Sequence, residues 1–214
     1  MFDAYAAKAR WRDTWRVIGA KSNGDQIFGD LVDRYQETHR VYHTLDHIAD
    51  CLRHLDSGRE LIVRPVEVEI ALWFHDAIYD TQRNDSEALS AELAVSTLNE
   101  VGVDAAVTGR VAALINSTTH SYIRLAGDAA VICDVDLAIL GTGKEEFERY
   151  DTAIRQEYSW VPEPIFRRER GRVLASFLVR PRIYQTDFFR SLFEDQARVN
   201  LSRTIESYRS GMRS

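Results

Sequence analysis

Apolar and polar positions alternate with a helical period through almost the whole chain. Ile27, Phe28, Leu31, Val32 and Tyr35 recur at spacings that share one helix face, and so do Val107, Val111, Leu114 and Ile115. The period predicts helices near 3–20, 24–37, 44–56, 65–79, 85–101, 105–119, 128–140, 144–159, 163–179 and 187–209. Local start signals accompany several of them. Asn23 and Asp104 stand where N-caps belong, Pro65 suits a first turn, and Asn84 followed by Glu87 reads as a capping box. The longest polar stretch, 81–87, is short enough to be an ordinary connection, and no repeat or flexible linker divides the chain. The expectation is an all-α, single compact helical bundle spanning 1–214, its first and last helices closing the same core.

Composition supports this reading and removes some functions. Hydrophobic residues make up 45% of the 214, with four Trp, nine Tyr and nine Phe, while eleven Gly and four Pro leave helices largely uninterrupted. A net charge of -6 argues against coating of a long nucleic acid and leaves open a small nucleotide in a local pocket. Cys51 and Cys133 form no CxxC pair and no disulfide framework. No leader pattern opens the chain, and no run reaches the roughly 18 apolar residues of a membrane span. A cytoplasmic protein without a membrane partner is expected, and homodimerisation through a terminal helix stays open.

Chemistry concentrates in three places. His39, His43 and His47 are spaced by four, so His43 and His47 would share a face if the whole stretch were helical. Thr44 follows His43 where a zinc peptidase would carry its glutamate base, which removes that reading. His54, isolated at the far end of the helix, reads as an ordinary capping or surface histidine. The run Ala71-Leu72-Trp73-Phe74-His75-Asp76-Ala77-Ile78 places a His-Asp pair inside an apolar helix, where a charged aspartate needs a partner or a metal. In Val131-Ile132-Cys133-Asp134-Val135-Asp136-Leu137, two aspartates stand in an apolar run with no cation nearby. A divalent metal explains one of them, and a helix-start cap explains the other.

These segments in this order resemble the HD-domain phosphohydrolase superfamily, whose signature is a histidine, a His-Asp pair and a distant aspartate. Tyr42-His43-Thr44-Leu45-Asp46-His47-Ile48, Phe74-His75-Asp76-Ala77-Ile78-Tyr79-Asp80 and Asp136-Leu137-Ala138-Ile139-Leu140-Gly141 look like the predicted metal-dependent hydrolases of that superfamily. The resemblance implies a divalent metal (Mn, Mg, Fe, Ni, Co or Zn) held by His47, His75, Asp76 and Asp136, with Asp134 as the alternate and His120 as a possible extra ligand. It implies catalytic roles for Asp76, His43 and Asp80 and hydrolysis of a small phosphorylated substrate, plausibly a nucleotide, by activated water. Arg180, Arg182, Lys144 and Arg155 are candidate phosphate clamps, and Tyr79 and Tyr184 candidate base-stacking rings, beside their commoner packing roles. Two rivals remain: a non-catalytic metal- or nucleotide-binding module on the same scaffold, and an iron oxygenase of the HD type, which needs more His and Asp ligands.

Overall fold

A computed structural model describes residues 2–121 and 123–210. Ten α-helices carry the fold, and the described residues contain no strand. They are α1 (Ala4–Val17), α2 (Asp25–Tyr35), α3 (Leu45–Ser57), α4 (Pro65–Phe74), α5 (Ser86–Glu100), α6 (Ala105–Ser117), α7 (Asp128–Asp136), α8 (Lys144–Glu157), α9 (Glu163–Leu178) and α10 (Asp187–Ser210). Short 3₁₀ turns follow α3 at Arg59–Leu61 and α7 at Leu137–Gly141.

The centre is α4, which buries Val68, Ile70, Ala71, Leu72, Trp73 and Phe74 together with Glu67, paired with Arg110, and Glu69, paired with Arg10 and Thr14. It packs against α1, α3, α5, α6 and α7, so the residues just past its C-terminus emerge where α3 and α7 converge. Helices α5 and α6 pair as neighbours, and α9 and α10 pair on the other side of the 3₁₀ turn after α7. The first and last helices both join the core. Trp11 and Trp15 of α1 stack at 4.8 Å, and Trp73 meets Trp11 edge-on at 5.7 Å. Phe189, Ala197, Leu201 and Ile205 of α10 belong to the same continuous hydrophobic cluster.

Several local expectations hold. Asp104 accepts from Ala106 N and Val107 N at the start of α6, and Pro65 opens α4. Others need correction. Gly24, in the left-handed region at φ 72°, is the residue before α2, while Asn23 bonds Asp25 N from one position further out. The Asn84–Glu87 capping box does not form. Helix α5 starts at Ser86 behind Asp85, whose carboxylate takes both arms of Arg83 at 2.8 Å instead of the helix amides.

The two differences that matter most involve the site. Helix α4 stops at Phe74 rather than near 79, and α7 ends at Asp136 before tightening into 3₁₀ geometry. His75, Asp76 and Asp136 therefore stand at helix ends. Residues 39–44 are not helical, since α3 begins at Leu45, so His43 and His47 do not share a helix face. No described helix is long and apolar enough to cross a membrane.

The approach of α10 to the turn after Asp136 depends on one small residue. A Cβ on Gly141 would sit 2.6 Å from the Phe193 carbonyl oxygen, whereas one on Gly143 would meet nothing within 4 Å. Gly141→Ala is expected to lower stability in chemical denaturation by about 1–3 kcal/mol through overpacking. Gly143→Ala serves as the control and should change little; equal effects would mean that the close approach is not limiting.

Candidate functional site

The residues that end α4 and α7 meet His47, near the start of α3, on a buried floor. His47 Nε2 lies 3.3 Å from His75 Nε2. Asp136 Oδ1 lies 3.2 Å from the first and 3.4 Å from the second. Asp76 Oδ2 lies 3.6 Å from His47 Nε2 and 3.1 Å from His75 Nε2. One ligand atom from each of His47, His75 and Asp136 falls within 4.8 Å of the others, so this cluster could hold a metal ion. The His47 and His75 side chains are 3% and 1% exposed, against 16% for Asp76 and 14% for Asp136. The histidines thus form the floor and the carboxylates the rim.

Tautomer chemistry orients His75. Its Nδ1 lies 2.8 Å from the Leu72 carbonyl, which only accepts, so Nδ1 carries the hydrogen. In the neutral ring the Nε2 lone pair then faces the cluster, the orientation that metal-binding histidines take from such a backbone partner. His47 packs against Cys51 Sγ at 3.7 Å and the Tyr42 ring at 4.9 Å. Two imidazole nitrogens and two carboxylates, with no thiolate donor among them, form a mixed nitrogen and oxygen set.

The imidazoles and carboxylates of the cluster favour each other's charged forms. Burial works against the imidazolium of His75, but Asp76 and Asp136 outweigh it and raise its pKa well above the ordinary value. Burial likewise opposes charge on Asp136, and His75, His120 and His47 overcome it to hold the carboxyl low. Asp76 is held low against burial by His75 and then His43.

The other candidates separate into two groups. His120 is near the cluster: its Nε2 lies 2.8 Å from Asp136 Oδ2, on the carboxylate edge away from the two floor histidines. Burial opposes its charge, yet the bond to Asp136 and the neighbouring Cys133 raise its pKa to about 9. Its backbone has a positive φ of 53°, rare for a residue with a side chain, and Arg180 Nη2 holds its carbonyl at 2.7 Å. His43 also belongs here, its ring 5.9 Å from that of His47. Asp134 and Asp80 do not. Asp134 turns to the opposite side of α7, where its two oxygens accept from Gln185 N and Thr186 N at 2.6 and 2.7 Å ahead of α10. Burial pushes its carboxyl up to about 6 despite those bonds. Asp80 is exposed and bonds Gln82 N within its own loop. His54, read as a cap or surface residue, is instead buried edge-on against Phe193, its pKa lowered to about 4 by burial and Arg53.

The candidate clamps are mostly engaged elsewhere. Arg155 bonds Glu163 and the carbonyls of Tyr158 and Val161, Lys144 reaches Glu148, and Arg182 lies 3.6 Å from Asp187. Tyr184 is fully buried and donates to the Leu137 carbonyl, so its ring is not exposed for stacking. Tyr79 stays beside the site, its ring 4.1 Å from that of His43.

Two residues missed from the sequence organise the surroundings. The Arg40 side chain is fully buried, donates to the carbonyls of His43, Asp76 and Ala77, and lies over the Tyr35 and Tyr79 rings. The Glu157 side chain, also fully buried, accepts from three successive backbone amides, Val41, Tyr42 and His43, and from Tyr79 Oη. Its Oε2 lies 2.8 Å from His43 Nδ1. Arg40 was legible only as a cation between His39 and His43, and Glu157 carried no signal at all, being one acid at the end of an amphipathic helix. Compared with known proteins, the chain matches no family model, no curated protein and no solved structure.

Glu157 has a testable pH signature. Burial opposes its charge, but His43 and the backbone amides outweigh it and lower the carboxyl from 4.5 to about 2. A carboxyl lowered in the folded state stabilises the protein above its unfolded pKa, and that contribution is lost as pH falls through the folded one. The native chain should therefore exceed Glu157→Gln in stability by up to roughly 3 kcal/mol above pH 4.5, the gap closing towards pH 2. Denaturant melts across that range provide the check, and a gap independent of pH would remove the charged role.

Proposed function

We propose that this chain is a metal-dependent phosphohydrolase of the HD type acting on a small phosphate ester such as a nucleotide. The observation that carries the reading is the pair of buried imidazole nitrogens 3.3 Å apart, flanked by Asp136 and Asp76. Two lone pairs brought that close repel unless a cation or a proton lies between them, and the surrounding carboxylates supply compensating charge. His47, His75 and Asp136 would hold the ion, with Asp76 as the fourth ligand from the His-Asp pair. A divalent ion there would supply neutralisation of phosphate charge and activation of water.

The chain's own groups account for the rest of a hydrolysis. The rim formed by Asp76, Asp136, His43 and His120 is the part of the cluster open to solvent, so a phosphate would approach from that side. His120, with its charge favoured, offers a cation to a phosphate oxygen or orients Asp136. His43 stands beside the cluster with one ring nitrogen engaged by Glu157, which leaves the other for proton transfer. The net charge of -6 favours a pocket-sized phosphate over a long polyanion.

The test pairs metal analysis with turnover. His75→Ala and Asp136→Asn should each lower metal affinity at least about tenfold and abolish release of phosphate from a panel of esters and nucleotides. Asp134→Asn, whose side chain serves Gln185 and Thr186, should keep its metal. Tight nucleotide binding without turnover under Mn, Mg, Ni, Co, Zn and Fe would replace this reading with that of a binding module. Unchanged metal content in both ligand variants would remove the site.

Metal uptake should also depend on pH in a defined direction. The neighbouring carboxylates favour protonated His75, and a ligand imidazole must be neutral, so binding must expel protons. Affinity is expected to rise with pH, and titration calorimetry with Zn in two buffers of different ionisation enthalpy should report net proton release. Binding without proton exchange would contradict the protonated form of His75.

A further inference from the structure

We infer that Glu157 is a positioning residue that fixes His43 in a single tautomer, with the hydrogen on Nδ1 and the Nε2 lone pair turned to the reaction. The tautomer follows from contacts alone; its use in proton transfer rests on the phosphohydrolase reading.

The argument begins with what Glu157 can accept. Oε1 receives the amides of Val41, Tyr42 and His43 at 2.7, 2.8 and 3.0 Å, three successive donors converging on one oxygen. Oε2 receives Tyr79 Oη at 2.7 Å and lies 2.8 Å from His43 Nδ1. A carboxylate so surrounded has only acceptor capacity, so the hydrogen of the last contact must come from Nδ1. A side chain that merely pinned the 41–43 backbone would need Oε1 alone. The second oxygen is spent on the ring of His43 and on Tyr79, whose own ring lies 4.1 Å from that imidazole. The imidazole is held at its edge by Glu157 and on its face by Tyr79, while Arg40 lies over the Tyr79 ring at 5.4 Å. This is the arrangement of a general base oriented by a buried carboxylate.

In hydrolysis the roles balance as follows. The water oxygen forms its bond to phosphorus, and the water proton passes to His43 Nε2. The electron pair of the breaking phosphorus–oxygen bond departs with the leaving oxygen. The imidazolium charge so created faces Glu157 through the retained Nδ1–H bond, which lowers its cost in the buried setting.

The experiment uses full-length protein labelled with ¹⁵N-histidine, metal-free and at alkaline pH where the rings are neutral, with the His43→Gln spectrum assigning the His43 signals. Long-range ¹H–¹⁵N correlations should show the Nδ1–H form in the native chain. In Glu157→Gln the amide oxygen can still serve the three backbone amides, while its NH₂ faces Nδ1 and should drive the hydrogen to Nε2. With metal and a cleavable phosphate ester, the same variant should lose about 100-fold in kcat with metal content unchanged. An Nε2–H form in the native chain overturns the inference, even if Glu157→Gln fails to fold. Retention of Nδ1–H in that variant, or full kcat there, overturns it as well. The expected tautomers together with no phosphate turnover in the native chain would strike down the phosphohydrolase reading and leave the positioning of His43 standing.

Discussion

The structure is governed by the need to neutralise carboxylates inside an apolar helical core. Asp76, Asp134, Asp136 and Glu157 all lie among tightly packed helices, where an unmatched charge costs several kcal/mol. The fold meets this need in two ways. Asp134 and Glu157 are matched by backbone amides, of Gln185 and Thr186 in one case and of residues 41–43 in the other. Asp76 and Asp136 are matched by imidazoles, whose nitrogens exchange protons and bind metals. Asp134 organises the chain through backbone amides, Glu157 joins backbone amides to the His43 ring, and Asp76 and Asp136, held by histidines, form the candidate site.

Arg40 and Glu157 act as complementary halves of one scaffold around the segment 39–44. Arg40 has only donors, giving Nε to the Glu37 carboxylate and the others to carbonyls, including those of Asp76 and Ala77 just beyond the end of α4. Glu157 has only acceptors and spends them on the amides of 41–43 and on His43 and Tyr79. Between them they satisfy backbone groups that a helix would otherwise have paired internally, so the chain turns at His75 and stays irregular before Leu45.

Much of this protein was legible in its sequence. The helical period located all ten helices because an amphipathic face is a local property, and terminal errors arose where a side chain was engaged elsewhere, as in the local Arg83–Asp85 pair ahead of α5. His75-Asp76 and the aspartates at 134 and 136 stood out because ionisable residues in apolar runs demand partners, whereas His47 was singled out by the resemblance to the HD signature. The sequence alone left Asp134 and Asp136 competing, since two residues on opposite sides of a helix are equally apolar in context. Only packing decided that Asp134 faces the start of α10 and Asp136 faces His47. Glu157, more than a hundred positions from the 41–43 amides and 78 from Tyr79, was invisible for the same reason: a local pattern records which face of a helix is buried, and long-range contacts alone determine what a buried charge will meet.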